Sequence, residues 1–301
     1  MSAYELVAYG PHHRDDYLGL LREAWGEGSM SREEFDWWFE GNPEGSLRSV
    51  ALREGRVVGV AAHTLLRLVL GGEERLASFS VHATTHASAR GLGIFAALES
   101  RHEEEALARG VAVVLAFASP PTAPIFLGPL GWTEIGRLRV WARPLRGIVL
   151  RGPEMGVRAE RSDPFPESGD RAAAWPNHVV RDVRHLTWRY ADSPWGYRVL
   201  VAPEGYAAVR AKLHRGVPVA VLADLVAPAG AARALVRSAL RAAVGCRAAV
   251  ALPAPGQRSL FASLGFVPTR HTLHLMGKGL AGPLDPDPQT WRFTLGDTDF
   301  F

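Results

Sequence analysis

Cysteine is almost absent from the chain: Cys246 is the single one in 301 residues. That excludes an internal disulfide and a cysteine-based metal site. Lysine is nearly as scarce, since Lys212 and Lys278 stand alone, and arginine carries almost all the positive charge. The arginines are spread along the chain and the net charge is only +3, so the basic stripe that nucleic-acid binding needs is missing. No apolar run approaches the roughly 18 residues of a membrane-spanning helix, and no basic-then-apolar leader opens the sequence. These absences predict a cytoplasmic protein, monomer or homodimer, with no nucleic-acid or membrane partner and no metal ligand set. Tyrosine is missing between Tyr17 and Tyr190, which matters for the chemistry below.

What is present is a 47% hydrophobic chain long enough for about two domains. Its most informative stretch is Thr85-His86-Ala87-Ser88-Ala89-Arg90-Gly91-Leu92-Gly93-Ile94-Phe95. An apolar, β-prone segment, Leu76 to Ala83, leads into it. A helical pattern leaves it, with Ile94, Leu98, His102 and Leu107 on one side. Strand, glycine-rich turn and helix in that order present backbone N–H groups at a positive helix end, which is a site for an anion, most often a phosphate. Gly91 and Gly93 carry no Cβ and let the backbone approach a ligand, and Arg90 adds a fixed charge. A Walker loop is excluded because no Gly-Lys-Ser/Thr follows. A dinucleotide fingerprint is excluded because Ala96 stands where its third glycine belongs and Val111 to Ala118 ends without an acid.

The stretch resembles the acetyl-CoA loop of the GNAT acetyltransferase superfamily, Gln/Arg-x-x-Gly-x-Gly/Ala. Arg90 and Gly93 match, Gly91 is a common companion, and Phe95 departs at the last small position. The order around it agrees. Tyr4 to Tyr9 reads as a strand, His12 to Trp25 as a helix, and Ser31-Arg-Glu-Glu34 as a capping box opening a helix through Phe39. Ser46 to Arg53, Arg56 to Leu70 and Glu74 to Thr85 read as strands turned at Gly55 and Gly71-Gly72. Val111 to Ala118 is a buried strand, Ala123 to Leu130 a short helix, and Glu134 to Pro144 a strand. The Leu130-Gly131-Trp132 turn resembles the family's Leu-Gly-Phe/Trp. The resemblance covers about residues 1–147. It implies that strands four and five splay between Thr85 and Ser119, with the pantetheine arm of acetyl-CoA in the gap and its pyrophosphate on Arg90, Gly91, Leu92, Gly93, Ile94 and Phe95. Thr85, His86 and Ser119 border that expected site.

The second half repeats the first weakly. After an aperiodic segment, 148–176, come strands at Tyr197 to Ala202, Tyr206 to Leu213 and Val217 to Leu225. A helix at Ala231 to Ala243, a strand at Ala248 to Leu252 and a helix at Gln257 to Leu264 follow. Leu264-Gly265-Phe266 then turns into a last strand, Arg270 to Met276. The expected fold is a mixed α/β one. It comprises two tandem GNAT-like domains, 1–147 and 177–282, each a mostly antiparallel sheet flanked by helices. The second copy lacks the glycine loop, since Leu225-Val-Ala-Pro-Ala-Gly230 replaces it. The tail, 283–301, holds Trp291, Phe293, Phe300 and Phe301, too many aromatics for a disordered end, and is expected to dock.

The family resemblance implies an enzyme moving an acetyl or short acyl group from acetyl-CoA to a small-molecule amine, an aminosugar or aminoglycoside for example, in a ternary complex. Such transfer needs an oxyanion donor, a proton acceptor for the amine and a proton for the leaving thiolate. The tyrosine that usually supplies the last falls at Leu127 here. Proton acceptors are sought in His82, at the end of strand four, and in Asp297 and Asp299 of the tail; His86 and Glu134 are weaker candidates. Trp188-Arg189-Tyr190 reads as a packed helix and Cys246 as core. A CoA-binding protein without turnover and a FemAB-like acyl or aminoacyl transferase remain alternative readings.

Overall fold

A computed structural model of the chain describes residues 3–145, 158–159, 165 and 175–299. The expected linker lies almost wholly outside these residues, and Phe300 and Phe301 lie wholly outside them. In chain order the elements begin with β1 (Glu5–Ala8), α1 (Arg14–Trp25), α2 (Arg32–Phe35), β2 (Ser46–Arg53), β3 (Arg56–Leu70) and β4 (Glu73–Thr85). Then come α3 (Ile94–Ala108), β5 (Val113–Ala118), α4 (Ala123–Leu127), β6 (Thr133–Pro144), β7 (Arg158–Ala159) and β8 (Asn177–Val179). The rest are α5 (Val183–Leu186), β9 (Arg198–Ala202), β10 (Gly205–His214), β11 (Val217–Val226), α6 (Ala229–Ala242), β12 (Ala248–Ala251), α7 (Arg258–Ser263), β13 (Val267–Gly279) and β14 (Trp291–Arg292). It is a mixed α/β fold, as expected, and the expected strands match to within a few residues at each end.

The chain forms two units, and neither is one continuous stretch. The first comprises residues 1–68, 74–136 and 274–286. Its strands run in the order β1-β2-β3-β4-β5-β13. The β1/β2, β2/β3 and β5/β13 pairs are antiparallel and β4/β5 is parallel. The closing strand therefore comes from the far end of the sequence: His274 to Gly279 pair with Ala118 to Val113. Helix α3 buries Ile94, Leu98, Glu99, His102 and Ala106. Leu107, expected on that stripe, is 55% exposed. It sits five residues after His102, well off the four-residue spacing that keeps 94, 98 and 102 on one face. Gly59 seats this helix, because a Cβ there would meet Ile94 Cγ2 at 2.5 Å. The Ser31 capping box forms: Ser31 Oγ accepts the Glu34 amide at 3.1 Å, and Glu34 Oε2 accepts the Ser31 amide at 2.7 Å. Asp36–Glu40 then continue α2 as a π-turn.

The second unit comprises residues 69–73, 137–273 and 287–301. Its strand order is β6-β12-β11-β10-β9-β7. Within this order one pair is again parallel, β11/β12, and the strand after it is antiparallel, β12/β6; off the order, β14 pairs with β8 in parallel. Here the closing strand comes from the first half of the sequence. The local order repeats that of the first unit, down to a π-turn, Thr187–Ala191, after the capped α5. One face of the sheet packs Leu200, Val209, Leu222 and Ala249 against Leu235, Val236, Ala239 and Phe261 of α6 and α7. Cys246 lies in this core, as expected. Among the described residues, no helix is long and apolar enough to cross a membrane.

A buried charge network holds the tail inside this unit. Asp224 on β11 accepts from Arg181 Nε at 2.6 Å, Tyr206 Oη at 2.9 Å, Tyr190 Oη at 3.1 Å and Arg292 Nη2 at 3.1 Å. Burial alone would raise the Asp224 carboxyl, but the Arg181 and Arg292 guanidiniums outweigh it and hold the group ionised, well below the usual range. Trp291, Phe293 and Leu295 are buried beside it. His185, nearby, is pushed down to about 4, first by burial and then by the Arg181 charge, with Arg189 adding to it and Asp297 and Asp224 opposing.

That shift has a sign. The native state keeps His185 neutral while the unfolded chain takes up a proton below 6.5. Stability is therefore lost as pH falls from 6.5 toward 4, by up to ~3 kcal/mol at about 1.4 kcal/mol per pKa unit. Urea melts across that window should show the loss, and His185→Gln should flatten it.

Candidate active site

The parallel pair β4/β5 is short. Its register runs from Ala77↔Val113 to Ser80↔Ala116 and then stops, although β4 continues to Thr85 and β5 to Ala118. Beyond Ser80 the β4 edge that faces β5 carries amides without a ladder. At the second residue past that point, His82 adopts φ 50°, a left-handed conformation uncommon for a residue with a side chain and one that breaks the regular edge. Tyr17 Oη donates to the His82 carbonyl at 3.4 Å. The His82 ring is half-buried among Trp25, Trp38 and Phe39, with ring centroids 6.1, 5.9 and 5.9 Å away.

After Thr85, which is half-buried at the end of β4, the glycine stretch folds back toward the sheet. The His86 amide donates to Val58 O at 2.9 Å. His86 Nδ1 accepts the Ser88 amide at 3.1 Å and caps the short turn Ala87–Ala89. Its Nε2 lies 3.2 Å from Glu23 Oε1. His86 thus shapes the loop. Arg90, Gly91, Leu92 and Gly93 are exposed. Gly91 and Gly93 take φ 83° and 75°, and Gly93 is the N-cap of α3. The first bond of the helix runs from the Ala97 amide to Gly93 O, so the amides from Gly91 to Ala96 are not used by the helix. Ile94 is buried and anchors the turn. Phe95, the departure from a small residue, turns away into the core and packs edge-on against Phe126 with centroids 5.5 Å apart. Its bulk therefore goes into the core, and its amide stays in the row of donors.

The far wall is the end of β5. Ser119 is half-buried; its amide donates to Thr122 Oγ1 at 3.0 Å and its carbonyl accepts the Thr122 and Ala123 amides, opening α4. Leu127, where a tyrosine was sought, is 45% exposed. The Leu130-Gly131-Trp132 turn is fixed by Trp132 Nε1 on Glu103 Oε1 at 2.5 Å and by Lys278 Nζ on Glu103 Oε2 at 2.6 Å. Glu134 is hydrogen-bonded with His274 Nδ1 at 3.0 Å.

Of the two tail acids, one lies in the buried network of the second unit. Asp297 is buried, and both its oxygens accept from Arg181 Nη2, at 2.9 and 2.8 Å; one also accepts the Thr294 amide at 2.8 Å. A carboxylate held this way is part of a buried ion-pair network. Asp299 is half-buried at the end of the described residues. Trp188, Arg189 and Tyr190 are buried, as a packed element should be.

Sequence reading missed a second polar group in the first unit. His63, Ser78 and Glu99 are buried and hydrogen-bonded in a row, and the buried His102 ring packs against His63. The signal was present: Glu99 and His102 are three apart on the buried stripe of α3, where polar residues are costly unless paired.

The acetyltransferase (GNAT) domain family matches residues 8–135. Among curated proteins no sequence matches the chain. Solved structures share the fold. A GCN5-related N-acetyltransferase from Anabaena variabilis is 12% identical with a TM-score of 0.70, covering 92% of this chain and 73% of its own. A GCN5-related N-acetyltransferase from Kribbella flavida is 17% identical with a TM-score of 0.66, covering 92% and 71%. Saccharomyces cerevisiae N-myristoyltransferase with bound myristoyl-CoA is 11% identical with a TM-score of 0.67, covering 92% and 83%.

The loop depends on its left-handed glycine. Gly93→Val should lower stability by about 1–2 kcal/mol, the cost of a side chain at such φ, although nothing within 4 Å would clash with its Cβ. Denaturant melts compared with Ala97→Val, in the regular helix, would check this.

Proposed function

We propose, from the premise that residues 8–135 of this chain form a GNAT acetyltransferase domain, that its first unit transfers an acetyl or other short acyl group from acyl-CoA to the primary amine of a small molecule. The observation that carries this reading is the end of β4/β5 pairing at Ser80↔Ala116 beside a loop whose amides and Arg90 suit a pyrophosphate. In this reading the pantetheine arm lies along the β4 edge beyond Ser80 and takes the place of the missing strand. The loop from Arg90 to Phe95 holds the pyrophosphate. The second unit, with its repeated element order and no glycine loop, is a degenerate copy of the fold that binds no CoA.

The chemistry is direct attack in a ternary complex. The amine nitrogen bonds to the thioester carbonyl carbon, and β4 amides near the His82 kink stabilise the oxyanion. The C–S bond then breaks. His82 accepts the proton the ammonium must lose, directly or through one water. Trp25 supports an amine as acceptor: it is 48% exposed beside His82, and an aromatic face attracts a cation. With leucine at position 127 the departing thiolate takes its proton from water. A thiol of pKa near 8.5 leaves readily enough without a dedicated acid. Asp297 has no part in this scheme.

Two outcomes follow. Arg90→Ala removes a charged phosphate contact, a loss of about 1.5–3 kcal/mol, so calorimetry should show CoA binding weakened roughly tenfold or more in a folded protein. His82→Gln should leave CoA affinity unchanged and lower kcat by about 100-fold or more, the usual range for a general base. Thiol release from acetyl-CoA across a panel of aminosugars, aminoglycosides and polyamines reads both the rate and the acceptor. Unchanged affinity in the first variant, or a wild-type rate in the second, would overturn the respective assignment.

A further inference from the structure

The polar group behind β4 is built like the inside of a metal site. His63 on β3, Glu99 on α3 and His102 on α3 are fully buried. One potential ligand atom from each lies within 4.8 Å of the others. His63 Nε2 and Glu99 Oε2 are 3.0 Å apart, and the His63 and His102 rings meet edge to face with centroids 4.7 Å apart. Glu99-x-x-His102 is an i, i+3 pair, so one face of the helix presents both side chains to His63.

Each of the three is held from behind by a serine. His63 Nδ1 bonds Ser78 Oγ at 2.8 Å, His102 Nε2 bonds Ser49 Oγ at 3.0 Å, and Ser80 Oγ donates to Glu99 Oε1 at 2.9 Å. That leaves His63 Nε2, Glu99 Oε2 and His102 Nδ1 as the atoms free to converge. Metal-binding histidines are commonly fixed this way through the nitrogen that does not bind the metal.

Two features of this arrangement are costly as they stand. His102 Nδ1 is buried and has no hydrogen-bond partner among the described residues. Glu99 is a buried carboxylate whose hydrogen bonds go to a serine and an imidazole, with no lysine or arginine among them. A single divalent cation removes both costs, since it caps the free nitrogen and balances the carboxylate. Burial, and after it the neighbouring His63 and Arg101, also keep His102 neutral, the form that ligates.

We propose that His63, Glu99 and His102 form a buried site for a divalent transition cation, zinc by the chemistry of its two imidazoles and one carboxylate. Zinc takes such donors at about 2.0–2.2 Å in a tetrahedral set, roughly 3.4 Å from one another, so His63 Nε2 and Glu99 Oε2 would part slightly from their present 3.0 Å while the third ligand atom, within 4.8 Å of them, draws in. A water completes the set. The hydrogen bond between His63 Nε2 and Glu99 Oε2 gives way to the cation, and the His63 ring carries its proton on Nδ1, toward Ser78 Oγ. The cation staples α3 to β3 and, through Ser80, to the last paired residue of β4. It holds the helix that carries the glycine loop and takes no part in acyl transfer, so the site stands whether or not the proposed transfer does.

The test uses the full chain stripped by a chelator and titrated with Zn²⁺ alone, with the metal content after dialysis read by mass spectrometry. One equivalent per chain is expected, with a higher Tm. Co²⁺ in its place should give the visible absorption of a four-coordinate site. His102→Gln should abolish uptake, Ser78→Ala should weaken it by about 10–100-fold, and His12→Gln, at the exposed surface, should leave it unchanged. If His102→Gln fails to fold by circular dichroism, the wild-type titration and Ser78→Ala decide. Less than one equivalent in the wild type, or unchanged affinity in Ser78→Ala or in folded His102→Gln, overturns the site.

Discussion

Two parallel strands that stop pairing set up the site in the first unit. From Ala77 to Ser80, β4 is laddered to β5; from Val81 on, that ladder is gone. Unpaired strand edges are a liability that proteins cover. Here the surroundings are arranged around the opening. His82 kinks the strand at φ 50°, the chain returns to Val58 through the His86 amide, and Gly91 and Gly93 bring a row of unused amides to the start of α3. Gly59 allows that helix to sit against β3. A ligand that offers backbone-like hydrogen-bonding groups along its length and an anion at its end suits this arrangement, and an acyl-CoA has both.

The second unit repeats the architecture with a different solution. Its parallel pair, β11/β12, is laddered from Val219↔Ala248 to Leu222↔Ala251, and α6 follows without a glycine loop. Instead, Asp224 just beyond the ladder collects two arginines and two tyrosines. Burying charges is expensive, and such a network stabilises only when every member is satisfied. Arg181 meets that condition through Asp224, Asp297, Thr294 and the Val179 carbonyl. Through it the segment from Trp291 to Thr298 becomes part of the unit's interior.

Much of the fold was legible in the sequence, because its signals are local. Glycine turns, the Ser31 capping box, alternating strands and the strand–turn–helix around Gly93 all depend on neighbours within a few residues. The exchange of closing strands was not. His274 pairs with Ala118 and Pro144 with Ala248, and nothing local to either strand says which sheet it completes. The partner of Asp297 was out of reach for a related reason: Arg181 is more than a hundred residues away. The buried stripe of α3 gave a mixed outcome. Ile94, Leu98 and His102 were legible by spacing, whereas the serines behind Glu99, His63 and His102 come from strands β2 and β4 and could not be paired from sequence.

Hydrogen–deuterium exchange with and without acetyl-CoA tests the central claim most directly, because it reads backbone amides one segment at a time. Binding in the gap should protect residues 81–85 and 91–96 together, since the same ligand covers the β4 edge and the loop, and should leave residues 223–233 of the second unit unchanged. Protection of the second unit alone, or no protection at residues 81–85 and 91–96 at saturating acetyl-CoA, would contradict the account.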